Sequence, residues 1–208
     1  MGASLRVVFA TVLLALGAPA GAQDRPVRIL VGFSPGGTSD VIARLVTERL
    51  RTSLGSPVIV ENRPGADGMI AAEMLKNATP DGRTLMISPI TVTVFAPLTH
   101  TKLRYDPIKD FAPISLAANF QLAPAVGAGS SAKTLQDYVA WVRANPAKAT
   151  YGTPTIGGPP HFFGLMLARA TGVDLSCVPY KGGAPLVTDL VRGPVPGARS
   201  RFSRGSQA

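Results

Sequence analysis

The segment Val27–Asp40, VRILVGFSPGGTSD, constrains this chain most. An apolar run ends in a Pro-Gly-Gly turn, and a polar residue able to cap a helix follows at once. A strand that passes through glycines into a helix start leaves several backbone N–H groups directed at one point, which holds an anion without a lysine or arginine. Gly/Pro-rich turns of the same kind recur at Tyr151–His161 and Tyr180–Pro185. Three such turns at strand ends predict a pocket for a small acidic ligand.

The pattern between these turns predicts an α/β protein. Strand-like runs are Val27–Phe33, Val58–Val60, Thr84–Ile87, Phe111–Ala117, Leu122–Val126, Ala149–Gly152 and Leu175–Pro179. A first helix is expected from about Ser39 to Gly55, with Val41, Ile42, Leu45, Val46, Leu50 and Leu54 at helical spacing. A second should bury Ile70, Ala71, Met74, Leu75 and Ala78. Later ones cover Thr134–Ala144 (with Thr134 and Asp137 as a capping box and Trp141 in the core), Pro160–Ala170 and Ala184–Val191. Pro89–Leu103 stays ambiguous, because its Thr and Val residues favour a strand and its prolines oppose one. Asp106 and Asp110 read as turn formers. Strand–helix alternation with short connections implies largely parallel sheets covered by helices, with ligands beyond the carboxyl ends of the strands.

The N-terminus predicts export. Arg6 precedes the apolar run Val7–Leu16, and Ala20-Gly21-Ala22 fits cleavage before Gln23, the pattern of a secretory signal too short to span a bilayer. A single cysteine, Cys177, rules out an internal disulfide and reads as a small buried hydrophobe. Export without disulfides, in a chain of this size, fits a bacterial periplasm. Setting aside Arg6, Arg192, Arg199, Arg201 and Arg204 reduces 21 basic residues to 16 against 12 acidic ones, a dispersed balance of +4. That spread lacks the basic stripe of a nucleic-acid binder. No His/Cys/Glu cluster has metal-ligand spacing, so neither metal nor cofactor is expected. After Gly193 the run PVPGARSRFSRGSQA carries no periodicity and little to bury. It reads as a disordered tail, aberrant through a shifted or broken reading frame near Arg192.

Three chemistries fit glycine turns. Gly32-Phe33-Ser34-Pro35-Gly36 matches G-x-S-x-G, the nucleophile elbow of a secreted serine hydrolase with Ser34 as nucleophile and His100 or His161 as base. The oxyanion hole of that fold needs the N–H of the residue after the nucleophile, and Pro35 has none. Nucleotide binding lacks both the G-x-G-x-x-G spacing and a P-loop lysine. Carboxylate capture needs only a few donors facing a helix dipole, which Gly36, Gly37, Thr38 and Ser39 can present, with Asp40 in the first helical turn orienting them.

At this point the residues carry a family resemblance. Phe33–Asp40, Val60–Gly68 (VENRPGADG), Pro80-Asp81-Gly82, Tyr105-Asp106-Pro107, Asp110–Ile114, Tyr151-Gly152-Thr153 through Pro159 and His161, and Val178–Gly182 occur in an order that resembles the Bug family of periplasmic solute-binding receptors, the extracytoplasmic component of tripartite tricarboxylate transporters. The resemblance implies a two-lobed, type 2 periplasmic binding protein-like α/β fold with its C-terminal part missing. The corresponding division is a signal peptide at 1–22, an incomplete first lobe at 23–120, an incomplete second lobe at 121–193 and a tail at 194–208. It implies a non-enzymatic monomer that captures a di- or tricarboxylate, acidic amino acid or aromatic acid for integral-membrane transporter subunits. The implied ligand-binding residues are Phe33, Ser34, Gly36, Gly37, Thr38, Ser39, Asp40, Ser88, Gly152, Thr153, Ile156, Gly157, Gly158, His161, Tyr180 and Lys181. The chain departs from the family pattern at four positions. Gly158 stands where a hydroxyl residue is frequent and Pro160 where a polar one is, while Thr155 and Asp67 replace usual glycines. An incomplete clamp of this kind is expected to bind its ligand weakly.

Overall fold

The computed structural model describes residues 25–192. The expected signal at 1–22 and the tail at 194–208 lie outside the described residues.

Two parallel sheets organise the chain. In the first, β1 (Val27–Val31) lies between β2 (Val58–Asn62) and β3 (Thr84–Ile87), with Ile29 opposite Val60 on one side and Leu85 on the other. A central parallel strand is covered on both faces, and β1 is accordingly apolar at four of its five positions. Val27, Ile29 and Val31 pack with Phe33, Ala43 and Val58 on one face, beneath α1 (Thr38–Leu54). On the other side of the sheet, α2 (Met69–Lys76) buries Ala71 and Ala72, and Ala72 packs with Val92 and Tyr105. The second sheet pairs β4 (Thr150–Thr153) with β5 (Ser176–Pro179). Its core of Val142, Ala149, Val173 and Leu175 lies against Tyr138, Val139 and Leu167, from α4 (Leu135–Ala144) and α5 (Pro159–Thr171). Helix α6 (Gly183–Val191) follows β5.

The helix signals behave as their chemistry requires. Gly55 and Gly172 close α1 and α5 in the left-handed conformation, and Thr134 with Asp137 forms the capping box of α4. Asp106 accepts from the amides of Ile108 and Lys109, while Asp110 accepts from that of Asp106, as turn formers do. The ambiguous run resolves into a π-helical turn, Thr91–Phe95, that continues into the single turn Ala96–Thr99 (α3). Pro97 brings no N–H to this continuation, and the Val92 carbonyl one π-turn before it accepts from the Tyr105 hydroxyl instead.

Four expectations differ from the structure. The runs at 111–117 and 122–126 form no strands. They carry no regular structure and no ladder partner among the described residues, and Ile114 and Leu116 are 79% and 74% exposed. A strand exists only where a neighbour takes its backbone groups. Helix α1 is rotated from the expected face, burying Asp40, Ala43 and Thr47 and leaving Val41 and Leu45 exposed, because the bonds made by Asp40 hold that line against the sheet. Trp141 is 38% exposed while its neighbour Val142 fills the core. Cys177 is half-buried, and its burial pushes the thiol up despite a hydrogen bond with Tyr151.

The end of β1 depends on glycine. A Cβ on Gly32 would lie 2.6 Å from the Gly68 Cα, so two backbones pass where no side chain fits. Gly32→Ala should therefore destabilise the protein by about 1–3 kcal/mol in urea unfolding. An unchanged midpoint would show that the two segments part without cost.

Candidate functional site

Asp40 organises the first loop from inside. It is 2% exposed. Its Oδ2 accepts from the Gly36 amide (2.9 Å) and Arg44 Nε (2.9 Å), and its Oδ1 from Arg44 Nη2 (3.1 Å) and Asn62 Nδ2 (2.9 Å). Asn62 Nδ2 also donates to the Phe33 carbonyl. The carboxylate thus joins the turn, the first helical turn of α1 and the end of β2, and it points inward. Burial pulls its pKa upward, but hydrogen bonds from Arg44, Gly36 and Asn62 and the Arg44 charge outweigh that and hold it below the usual carboxylate range.

Three helices that follow strand ends begin on a glycine with no side-chain cap: α1 on Gly37, α5 on Gly158 and α6 on Gly182. Uncapped first turns leave their amides available, at the positive end of each helix dipole. In α1 these are the amides of Thr38, Ser39 and Asp40. Helix α5 offers fewer than its sequence position promises, because Pro159 and Pro160 carry no N–H and the Gly157 amide donates to His161 Nδ1 (3.3 Å).

The strand-end loops of the two sheets meet. Ser34 Oγ donates to the Lys181 carbonyl at 2.7 Å, and a Cβ on Gly37 would lie 3.6 Å from the Gly183 nitrogen. The Ile156 amide donates to Asp67 Oδ1 at 3.0 Å. A Cβ on Gly157 would meet the Thr99 hydroxyl, and one on Gly158 that of Thr91. Phe33, Ser34, Gly36, Gly37, Ile156, Gly157, Gly158 and Lys181 therefore lie where the loops of the two sheets meet, and Thr38 and Ser39 follow Gly37 in the first turn of α1. The remaining expected residues are engaged locally. Thr153 donates to the Thr155 carbonyl and Ser88 to that of Pro89. Tyr180 donates to Asp189 on α6, and a Cβ on Gly152 would strike Leu186 and Tyr180. The His161 carbonyl accepts from Tyr151. Asp67, Thr91 and Thr155 were not among the expected binding residues. Two of them, Asp67 and Thr155, are departures from the family pattern, whereas Thr91 sits in the run whose structure the sequence left ambiguous.

Ser34 is not arranged as a nucleophile. Its hydroxyl is committed to Lys181, His161 Nδ1 to Gly157, and His100 Nδ1 lies 3.0 Å from Thr99 Oγ1. A cavity of about 410 Å³ lies away from these loops, between α2 and the starts of β1 and β3, lined by Arg28, Leu30, Ile70, Glu73 and Thr84 among others. Among the described residues no His, Cys, Asp and Glu side chains group to hold a metal, and no helix is long and apolar enough to cross a membrane.

Two parallel sheets whose carboxyl ends face each other across one junction define a two-lobed α/β binding protein. Residues 42–202 match the model of the tripartite tricarboxylate transporter family receptor. A Cupriavidus necator protein, the UPF0065 protein in the gbd 5' region, is 38% identical over 91% of this chain and 59% of its own length. BugT of Bordetella pertussis is 31% identical over 82% of this chain and 53% of its own. Among solved structures, a periplasmic transporter superposes with a TM-score of 0.71 at 38% identity, covering 81% of this chain and 57% of that one. A Rhodopseudomonas palustris protein with adipate gives 0.71 at 30% identity, covering 80% and 56%. MatC from the same species, with bound malate, gives 0.67 at 31%, covering 82% and 58%. The chain belongs to this family of periplasmic solute-binding receptors, and it spans somewhat more than half the length of these relatives.

The Asp40 network has a pH signature. A carboxyl whose folded pKa is depressed stabilises the fold above its unfolded pKa, about 4, and that contribution is lost as pH falls through the folded value. Asp40→Asn should reduce stability at neutral pH by about 1–3 kcal/mol, since one of the two accepting oxygens becomes a donor and the charge facing Arg44 is lost. It should also flatten the acid limb between about pH 5 and about pH 2. Urea titrations across that range giving parallel curves for the two proteins would contradict this account.

Proposed function

We propose that this chain is the solute-capturing component of a tripartite tricarboxylate transporter, exported to the periplasm with cleavage after Ala22. Its cargo is a small carboxylate, which it hands to integral-membrane subunits without chemical change. The observation that carries this reading is the junction of uncapped helix starts. Gly37 of α1 and Gly182 of α6 come from different sheets and bring their first-turn backbones into near contact. Such an arrangement supplies neutral main-chain donors and dipole ends from both lobes, which suits an anion whose charge must be held and then released. The relatives solved with adipate and malate have ligands of this class. The binding set proposed is the amides of Gly37, Thr38 and Ser39 and the hydroxyls of Thr38 and Ser39 in the first lobe, with Gly158 and the turn after Lys181 in the second. Asp40 positions the first group through Gly36. The functional unit proposed is a monomer, because one chain supplies both halves of the junction.

Thermal melts and calorimetry with succinate, malate, adipate and aspartate test this. At about 10 mM, a ligand of about 1 mM Kd stabilises the folded state by about 1.4 kcal/mol, so at least one compound should raise the melting temperature measurably. Ser34→Ala should leave affinity within a few-fold, since that hydroxyl serves Lys181, and neither protein should turn over a general ester. Ester turnover abolished by Ser34→Ala, or a melt unmoved by every acid, would contradict the assignment.

A further inference from the structure

The turn before α2 is held in an unfavourable backbone. Gly65, Ala66, Asp67 and Gly68 have φ values of 142°, 45°, 52° and 94° in succession, and Ala66 and Asp67 are the two non-glycine residues of positive φ among the described residues. Left-handed conformations crowd the Cβ of an L-residue against the following carbonyl oxygen, and they persist only where the surroundings enforce them. One side of this turn is fixed. The Gly68 amide donates to the Gly65 carbonyl at 3.0 Å, and the Gly68 Cα would lie 2.6 Å from a Cβ on Gly32 at the end of β1. On backbone grounds alone, glycine would suit position 67 better than aspartate.

What aspartate adds is a reach across the junction. Its Oδ1 accepts from the Ile156 amide at 3.0 Å, 89 residues away in sequence and in the loop that follows β4. A hydrogen bond to an ionised carboxylate is stronger than one between neutral groups. Asp67 has no ion-pair partner among the described residues that would draw it elsewhere. Two uncharged contacts cross nearby: Ser34 donates to the Lys181 carbonyl at 2.7 Å, and the Phe95 and Phe162 rings lie 5.7 Å apart.

We propose that Asp67 is a latch between the two sheets. Its carboxylate, projected from a strained turn anchored on β1, holds the Ile156 loop and keeps the halves together with no ligand present. Parting of the halves returns both the carboxylate and the amide to water, so the latch opens and closes reversibly. The latch is independent of what the junction binds.

Spin labels at Glu48→Cys on α1 and Arg169→Cys on α5, both exposed, in a Cys177→Ser background, measure the distance between the halves in ligand-free protein. With Asp67 in place, the distances should form one narrow distribution. Asp67→Gly removes the carboxylate and leaves a residue that adopts φ 52° freely. It should raise the share of longer distances about tenfold or more. Asp67→Asn tolerates the left-handed region and keeps a side-chain oxygen, so its distribution should match that with Asp67. The melting temperature of Asp67→Gly should stay within a few degrees, since glycine relieves strain as the bond is lost. Unchanged distances in Asp67→Gly would overturn the latch, as would Asp67→Asn opening as far as Asp67→Gly. A broad distribution with Asp67 in place would overturn it too. A far lower melting temperature for Asp67→Gly would make Asp67 a strut of the fold and overturn its role as a latch. No acid is added, so none of these results bears on the receptor reading.

Discussion

Everything at the strand-end junction depends on one buried carboxylate. Asp40 collects the Gly36 amide, the Arg44 guanidinium and the Asn62 amide, and so fixes the turn after β1, the rotation of α1 and the end of β2 together. A charge this buried is tolerable only when hydrogen bonds surround it. The network also decides what the loop can do. With Asp40 turned inward, the first helical turn of α1 presents amides and hydroxyls outward, and no carboxylate stands in front of them to repel an incoming anion.

The second half of the junction is built differently. Its helix starts are also glycine-capped, but α5 gives up two amides to prolines and the Gly157 amide to His161. Side chains enter where main-chain donors are missing: Asp67 takes the Ile156 amide across the junction, and Thr91 and Thr155 bring hydroxyls to Gly158. The two halves thus meet through main-chain amides at the start of α1 and, around Gly158, through side chains contributed from both sheets. A small anion held between them would gain from both helix dipoles.

Much of this was legible from residue pattern. Glycine punctuation located β1, β3, α1 and α5 to within a residue or two, because αL closure at Gly55 and Gly172 and strand-to-helix turns at Gly36-Gly37 are local chemistry. What failed was non-local. The runs at 111–117 and 122–126 have strand composition, yet pairing depends on a neighbour that sequence periodicity does not supply. The rotation of α1 depends on Asn62, 22 residues away, and apolar spacing alone favoured the wrong face. Thr91 and Thr155 carry no motif. They matter only because Gly158 lacks a side chain and two loops distant in sequence close on it.

The central claim is that amides at glycine-capped helix starts, gathered from both sheets, hold the acid. Backbone amide shifts recorded during a titration with the acid that stabilises the protein test it most directly. The largest changes are predicted at Thr38, Ser39, Gly158 and Gly183, the residues of the junction. Changes centred instead on Arg28, Glu73 and Asn77, around the cavity beneath α2, with the junction amides unmoved, would contradict it.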